Sequence, residues 1–159
     1  MAHRAAVITV SDRSSAGTRA DASGPRAVAA LREAGFDCAE AIIVPDGADE
    51  VERTLRGLLA DGIRVVVTTG GTGIAPRDRT PEGTARVLTL ELPGIADELR
   101  RRATVQKPAG MLSRGLAGIA GDALVVNLPG SPAAVDDGMP VIVSIAPHVL
   151  AQLGGEDHR

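Results

Sequence analysis

The sequence predicts an α/β fold in which helices cover both faces of a largely parallel sheet. Two observations carry this prediction. Short apolar, β-branched runs alternate with amphipathic helical stretches through the first 70 residues, and the connections between them are short. Parallel strands joined by crossover helices produce this alternation. The core must be aliphatic, because Phe36 is the only aromatic residue.

Composition narrows the class of protein. The 159 residues carry a net charge of −3, so no basic surplus indicates nucleic-acid binding, and base-stacking aromatic residues are lacking. Cys38 is the only cysteine, which excludes an intrachain disulfide and argues against a cysteine-based zinc site. We expect one domain over residues 1–159 and a cytoplasmic location. We find no signal peptide and no apolar run long enough to cross a membrane.

In the first half of the chain, predicted strands and helices alternate regularly. Residues 5–10 form an apolar strand followed by a polar loop, and apolar positions at helical spacing then continue to Gly35. A second strand at residues 41–44 ends at Pro45, and a helix with one apolar face ends at Gly62. Residues 65–68 form a third strand. Because these strands are parallel, the loops after residues 10, 44 and 67 should share one sheet edge, where ligands bind in such folds.

The second half is less regular. Thr80 and Pro81 can start a helix that ends near residue 88, and a break at residues 92–94 precedes a second amphipathic helix. The arginines at 100–102 are interpreted as a solvated basic face that offsets the dipole of that helix. A hairpin turning at Gly121-Asp122 follows, then a helix from about Ser131. Residues 139–153 fit strand or helix; we favour helix, broken at Pro147, with a frayed tail over residues 154–159.

A glycine-rich run follows the third strand. Residues 68–73 are Thr-Thr-Gly-Gly-Thr-Gly, in which the lack of a Cβ lets successive N–H groups turn toward an anion. Thr68, Thr69 and Thr72 add hydroxyl donors. The alternative is a strand-to-helix turn that binds nothing, since the run fits neither the dinucleotide fingerprint nor the phosphate-loop lysine motif.

Two aspartates stand near this run. Asp46 and Asp78 each follow a turn-forming proline, and Asp78 lies a few residues beyond the glycines. Mg²⁺ commonly joins one or two carboxylates to substrate phosphates, so the pair predicts magnesium-assisted phosphoryl or nucleotidyl transfer. Each aspartate could instead be a turn or cap residue bonded to its own backbone.

Other polar residues could contact an anionic ligand. Ser11-Asp12-Arg13 and Ser113-Arg114 each offer a hydroxyl and a guanidinium, or could form surface ion pairs. At least one of Arg77 and Arg79 should face the site. His3, His148 and His158 lie near the chain ends, so the sequence proposes no histidine-activated nucleophile.

Taken together, these segments resemble the molybdopterin-binding family of molybdenum-cofactor biosynthesis, specifically its single-domain molybdopterin adenylyltransferases. The resemblance covers nearly the whole chain, and the order and spacing of the motifs make it specific. The motifs that carry it are Val10-Ser11-Asp12-Arg13, Asp21-Ala22-Ser23-Gly24, Val44-Pro45-Asp46, the glycine run at 68–73, Pro76-Arg77-Asp78-Arg79-Thr80-Pro81-Glu82, Leu92-Pro93-Gly94, Leu112-Ser113-Arg114 and Asn127-Leu128-Pro129-Gly130-Ser131-Pro132.

The resemblance implies a three-layer α/β/α sandwich with a mostly parallel central sheet, assembled as a homotrimer. It implies transfer of AMP from Mg-ATP to molybdopterin, with pyrophosphate released. Asp46 and Asp78 would be the acidic pair that supports Mg²⁺ and catalysis, and Glu82 would steady the loop or reach the ligand. The expected ligand-binding set is Ser11, Asp12, Arg13, Thr69, Gly70, Gly71, Thr72, Gly73, Glu82, Ser113, Arg114, Pro129, Gly130 and Ser131.

Arg79 departs from the resemblance, since a smaller or apolar residue is expected between the aspartate and Thr-Pro-Glu. Two alternatives to the transferase stay open from the sequence. One is a noncatalytic molybdopterin-binding or carrier protein, and the other is a related nucleotide or pyrophosphate hydrolase. Other proteins of molybdenum-cofactor biosynthesis are possible partners, whereas nucleic acid and membrane are not expected.

Overall fold

A computed structural model describes residues 1–155. The strands are β1 (Arg4–Val10), β2 (Asp37–Cys38), β3 (Ile42–Val44), β4 (Val65–Thr69), β5 (Leu90–Glu91), β6 (Ala117–Ala120) and β7 (Ala123–Leu128). The helices are α1 (Asp12–Ser15), α2 (Gly24–Glu33), α3 (Ala48–Ala60), α4 (Thr80–Ala85), α5 (Pro93–Gln106) and α6 (Pro132–Leu153), with a 3₁₀ helix at Pro108–Leu112.

The strands form one mostly parallel sheet in the order β2-β1-β4-β7-β6-β5, and β3 also pairs with β1. β2, β3 and β4 pair with β1 in parallel, and β4 pairs with β7 in parallel. β6 is antiparallel to both of its neighbours. The predicted alternation and the hairpin at Gly121-Asp122 are therefore confirmed.

Each face of the sheet carries its own hydrophobic core, because successive side chains along a strand point to opposite faces. Val7, Val65 and Val126 face one layer, where residues of α2, α5 and α6 pack on the sheet. Their neighbours Ile8 and Val66 face the other, packed against α3. Because successive strand side chains point to opposite faces, an all-apolar strand is buried on both sides. The three-layer α/β/α sandwich is confirmed.

Helix α6 differs from the prediction at its prolines. It runs unbroken through Pro140 and Pro147, so the predicted break at Pro147 is wrong. The prolines are seven residues apart on the exposed face, where carbonyls left without an N–H partner can bond water. The other face buries Val135, Ile142 and Leu150 in the core.

Helix α6 is also, among residues 1–155, the one helix long and apolar enough to cross a membrane, whereas no such run was expected. This is weak evidence for a membrane span, because core helices of globular proteins share the same length and composition.

Other differences are local. The segment after β1 begins with the four-residue helix α1 rather than a loop, and the two-residue strands β2 and β5 and the 3₁₀ helix were not predicted. The arginines at 100–102 lie before the last turn of α5, so they do not offset its dipole as proposed. Arg101 and Arg102 pair with Glu98, while Arg100 donates to the carbonyl of Gly115. In the predicted tail, Gly154 and Gly155 close α6, and residues 156–159 lie outside the described residues.

Candidate functional site

The candidate site lies where the parallel strands end. β1, β3, β4 and β7 point the same way, so the segments that begin at Ser11, Pro45, Gly70 and Pro129 meet at one edge of the sheet. The backbone N–H of Ser11 donates to the carbonyl of Val44 at 2.9 Å, and that of Gly70 donates to the carbonyl of Leu128 at 2.9 Å. The sequence-predicted loops are therefore brought together.

The glycine loop bends through backbone conformations that glycine favours. Gly70 has a φ of +97° and Gly71 a φ of +68°. Thr80 holds this bend from α4, because its backbone N–H donates to the carbonyl of Gly71 at 3.0 Å and its hydroxyl to that of Gly70 at 2.9 Å. The hydroxyl of Thr80 also occupies the space that a Cβ at Gly71 would need. The loop is thus fixed from one side and open at the sheet edge.

The carboxylate of Asp46 lies beside the first half of the loop. Its Oδ1 would be 3.2 Å from a Cβ at Gly71. Asp12 holds the segment through a reciprocal pair: the N–H of Asp12 donates to Asp46 Oδ2 at 3.0 Å, and the N–H of Asp46 donates to Asp12 Oδ1 at 3.1 Å. Burial raises the pKa of the Asp46 carboxyl, and the negative charges of Asp12 and Asp78 raise it further.

Asp78 lies at the other end of the loop. Its Oδ2 accepts a hydrogen bond from the N–H of Ala75 at 3.1 Å and would be 2.8 Å from a Cβ at Gly73. The two carboxylates therefore flank the glycine loop, Asp46 at Gly71 and Asp78 at Gly73. Glycine at both positions leaves room for them.

Of the two arginines that flank Asp78, Arg77 reaches across the site to Asp12 and to the backbone of Asp46. Its Nε and Nη2 donate to the two carboxylate oxygens of Asp12 at 2.6 and 3.0 Å, and Nη2 also donates to the carbonyl of Asp46 at 2.9 Å. This pairing lowers the pKa of the Asp12 carboxyl. Arg79 points instead toward Glu82, 3.6 Å away. Arg77 therefore balances the negative charge of Asp12. The Asp46 carboxyl, whose pKa is raised, is the more readily protonated of the two.

Several predicted ligand residues have structural bonds of their own. Ser11 caps α1 by accepting from the N–H of Ser14, and Ser131 caps α6 by accepting from that of Ala134. Ser113 Oγ accepts from the N–H of Gly115 at 3.3 Å. Arg13 is exposed. Such bonds leave a serine hydroxyl able to donate to a ligand, because the hydroxyl proton is not used in accepting.

A polar cleft of about 270 Å³ opens at the same sheet edge, and Asp46 is not among its lining residues. Its lining residues include Thr9, Ser11, Asp21, Ser23, Thr69, Gly130 and Ser131. The hydroxyl of Thr69 is buried there, and among the described residues it has no hydrogen-bond partner. Asp21 accepts from the hydroxyl of Thr9 at 2.7 Å, and Ser23 donates to the carbonyl of Gly130 at 2.6 Å. A buried hydroxyl without a partner calls for an explanation, and this makes the cleft a candidate binding site.

Asp21 and Ser23 were not among the predicted site residues. The signal was present, because Asp21-Ala22-Ser23-Gly24 is one of the motifs that carry the resemblance. Asp21 accepts from the N–H groups of Ser23 and Gly24, and this turn starts α2 beside the cleft.

Glu82 and Arg114 form an ion pair beneath the loop. Arg114 Nη1 donates to the two carboxylate oxygens of Glu82 at 2.8 and 3.0 Å. The guanidinium holds the pKa of the Glu82 carboxyl below its ordinary value. Of the two roles expected for Glu82, steadying the loop is the one this contact supports. Pro129 and Ser113 border a smaller cavity between α5 and the end of β7.

The acidic pair fits magnesium bound jointly with a substrate. Within residues 1–155 no cluster of three or more histidine, cysteine, aspartate or glutamate side chains could hold a metal by itself. Mg²⁺ usually keeps several waters and needs only one or two carboxylates plus substrate phosphates. Asp46 and Asp78, one at each end of the glycine loop, are the residues that could supply such a donor set.

The chain is similar to known proteins over most of its length. The family profile described as a probable molybdopterin binding domain matches residues 6–149. A molybdopterin adenylyltransferase of Haemophilus influenzae is 38% identical over 134 residues, which cover 82% of this chain and 68% of that protein. The molybdopterin biosynthesis Mog protein from Mycobacterium ulcerans superimposes with a TM-score of 0.91 at 40% identity, covering 96% of this chain and 99% of that one.

Longer relatives match as well. A molybdenum cofactor biosynthesis bifunctional protein of Chlorobaculum tepidum is 37% identical over 155 residues, which are 98% of this chain and 50% of that protein. The chain thus spans about half the length of this relative. The profile match and the full-length structural similarity nevertheless concern the same α/β unit. The chain belongs to the molybdopterin-binding domain family of molybdenum-cofactor biosynthesis.

Proposed function

We propose that this protein transfers the adenylyl group of ATP to molybdopterin and releases pyrophosphate, with Mg²⁺ as cofactor. The observation that carries the proposal is the pair of carboxylates, Asp46 and Asp78, at the two ends of a glycine loop on the sheet edge. Relatives named molybdopterin adenylyltransferase, from Haemophilus influenzae and Escherichia coli, support the choice of substrates.

In the proposed reaction, a phosphate oxygen of molybdopterin attacks the α-phosphorus of ATP, and the bond to the β-phosphate oxygen breaks. Catalysis of phosphoryl-type transfers is mostly positioning and charge neutralisation. The loop N–H groups would bind phosphate oxygens, and Asp46 and Asp78 would hold Mg²⁺. That ion would supply neutralising charge. The polar cleft lined by Thr69, Ser11 and Ser131 would take the other phosphorylated substrate.

The acidic pair favours the proposed transferase over a noncatalytic carrier. A carrier or binding protein needs the cleft but not two carboxylates directed at the glycine loop, and this favours catalysis. The same pair would equally suit a nucleotide hydrolase, so the substrate distinguishes the two enzymes. A cytoplasmic location and contacts with other proteins of molybdenum-cofactor biosynthesis belong to this proposal.

Purified protein given molybdopterin, ATP and Mg²⁺ should produce adenylylated molybdopterin and pyrophosphate in equal amounts, detected by mass spectrometry and a coupled pyrophosphate assay. Excess EDTA should abolish both products, and added Mg²⁺ should restore them. Pterin binding without product, from folded protein, would contradict the proposal and favour the carrier. Release of pyrophosphate from ATP without molybdopterin would favour the hydrolase.

We also propose that the protein is a homotrimer, as the family resemblance implies. Val105, Met111 and Leu112 are large apolar side chains that are more than half exposed, and they lie on α5 and the following 3₁₀ helix. Burial of such residues is a driving force for association. Light scattering at micromolar concentration should give three times the chain mass of 16.2 kDa. A monomer mass would overturn the proposal.

A further inference from the structure

Arg114 makes an unusual number of contacts with the loop that carries Asp78. Its backbone N–H donates to the carbonyl of Thr72 at 2.8 Å. Its Nε donates to the carbonyl of Gly73 and its Nη2 to that of Asp78, both at 2.8 Å. With the pair to Glu82, this one residue joins the glycine loop, the backbone of Asp78 and α4.

The segment that carries Arg114 is itself firmly held. Arg100 of α5 donates to the carbonyl of Gly115 at 2.9 Å. The N–H of Leu116 donates to the side-chain oxygen of Asn127 at 3.0 Å, and the N–H of Asn127 donates back to the carbonyl of Leu116 at 2.8 Å. Asn127 is 3% exposed and also donates to the hydroxyls of Thr68 and Thr84. Arg114 therefore extends from a buried, hydrogen-bonded support.

Within the described part of the chain, the segment between Gly73 and Asp78 has no comparable buried support of its own. Residues 74–77 are exposed, with Ile74 at 73%. Its internal bonds are local, between Ala75 and Asp78. Its other side-chain link across the site is Arg77, whose side chain is 64% exposed. Exposed ion pairs contribute little to stability, so the half-buried guanidinium of Arg114 is the stronger tether.

We propose that Arg114 is a positioning residue, which sets where the Asp78 carboxylate stands by closing both ends of the 73–78 loop, rather than a residue that binds the substrate. Four guanidinium hydrogen bonds already end on protein acceptors: Gly73, Asp78 and the two oxygens of Glu82. A guanidinium has five N–H donors, which leaves little capacity for a ligand. This inference rests on the proposed adenylyl transfer for its kinetic consequence.

The kinetic test is Arg114→Ala in the adenylylation assay. We expect kcat to fall by about 10²-fold, the loss typical of a displaced catalytic group, with KM for ATP and molybdopterin within about 3-fold of wild type. Millimolar guanidinium chloride should restore part of kcat, whereas potassium chloride at equal ionic strength should not. A raised KM with unchanged kcat, or unchanged kinetics, would overturn the positioning role.

A second test does not depend on activity. Amide hydrogen exchange of Asp78 and Thr80 should become about 10-fold faster in Arg114→Ala, because the tethered loop opens more often. Arg101→Ala, which removes an exposed pair with Glu98 on α5, is the matched control and should leave both rates unchanged. Unchanged exchange in Arg114→Ala would overturn the inference even if the wild-type protein proved inactive as a transferase.

Should Arg114→Ala fail to fold, Glu82→Gln decides the question. It keeps the side-chain shape but weakens the anchor of Nη1, and the same two amides should exchange faster, by a smaller factor. Unaltered exchange in this variant would count against the tether.

Discussion

Asp78→Asn is expected to lower the turnover number for adenylyl transfer by about 10²- to 10³-fold, the usual loss when one charge-stabilising group is removed. The amide has nearly the shape of the carboxylate, and its oxygen can still accept from the N–H of Ala75. What disappears is the negative charge beside Gly73, where magnesium and phosphate charge are to be balanced. Initial rates at saturating substrate would measure the change.

Affinity for molybdopterin separates the roles of Asp78. Calorimetry of Asp78→Asn should give a dissociation constant within about 10-fold of wild type, because a residue that acts mainly in the transition state contributes little to ground-state binding. Asp49→Asn is a suitable control, since that carboxylate is 94% exposed on α3 and pairs with Arg86. Lost binding with turnover preserved per bound ligand would assign Asp78 to substrate binding instead.

Asp46→Asn should lower turnover without lowering the stability of the fold. Burial raises the pKa of this carboxyl above its unfolded value, so the folded state binds protons more tightly. Stability contributed by this group therefore grows as pH falls through the raised pKa, and the charged form opposes folding at neutral pH. We expect Asp46→Asn to melt no lower than wild type while losing turnover. Carboxyl groups whose pKa is shifted by burial and by neighbouring charges are typical of active sites.

The sequence was sufficient to predict those parts of the fold in which strands and helices alternate regularly. The alternation of apolar runs and helical faces was enough to predict β1, β3, β4 and the two-sided burial of the sheet. Two-residue strands such as β2 and β5 have no periodicity to detect, since they exist only by pairing with a neighbour. The break expected at Pro147 failed for a tertiary reason: packing of the opposite helix face outweighs the lost hydrogen bond.

The candidate site was predictable in its location but not in its contacts. Parallel strands place their ends together, so Asp46 and Asp78 could be assigned to one edge before the structure was known. The pair between Arg77 and Asp12 joins residues 65 positions apart, and the tether from Arg114 to Gly73 joins residues 41 apart. No local pattern encodes such partners. The motif at Asp21 and Ser23 was visible only through the family resemblance.

Gly70→Ala is expected to cause the largest loss of stability among single substitutions in the loop, about 3 kcal/mol. Two effects add. The backbone φ of +97° is unfavourable for any residue with a Cβ, and the new methyl group would collide with the carbonyl oxygen of Val10 at the end of β1. Urea unfolding at equal protein concentration would measure the difference in free energy.

Gly35→Ala separates the two effects, because Gly35 has nearly the same φ, +95°, yet nothing lies within 4 Å of the added Cβ. This control should lose only about 1 kcal/mol, the contribution of backbone strain. Equal losses in the two variants would show that the close approach of Gly70 to Val10 is unimportant. A larger loss at Gly70 would show that this close approach matters for stability, because the N–H of Gly70 donates to the carbonyl of Leu128 and its contact with Val10 joins the ends of β1, β4 and β7.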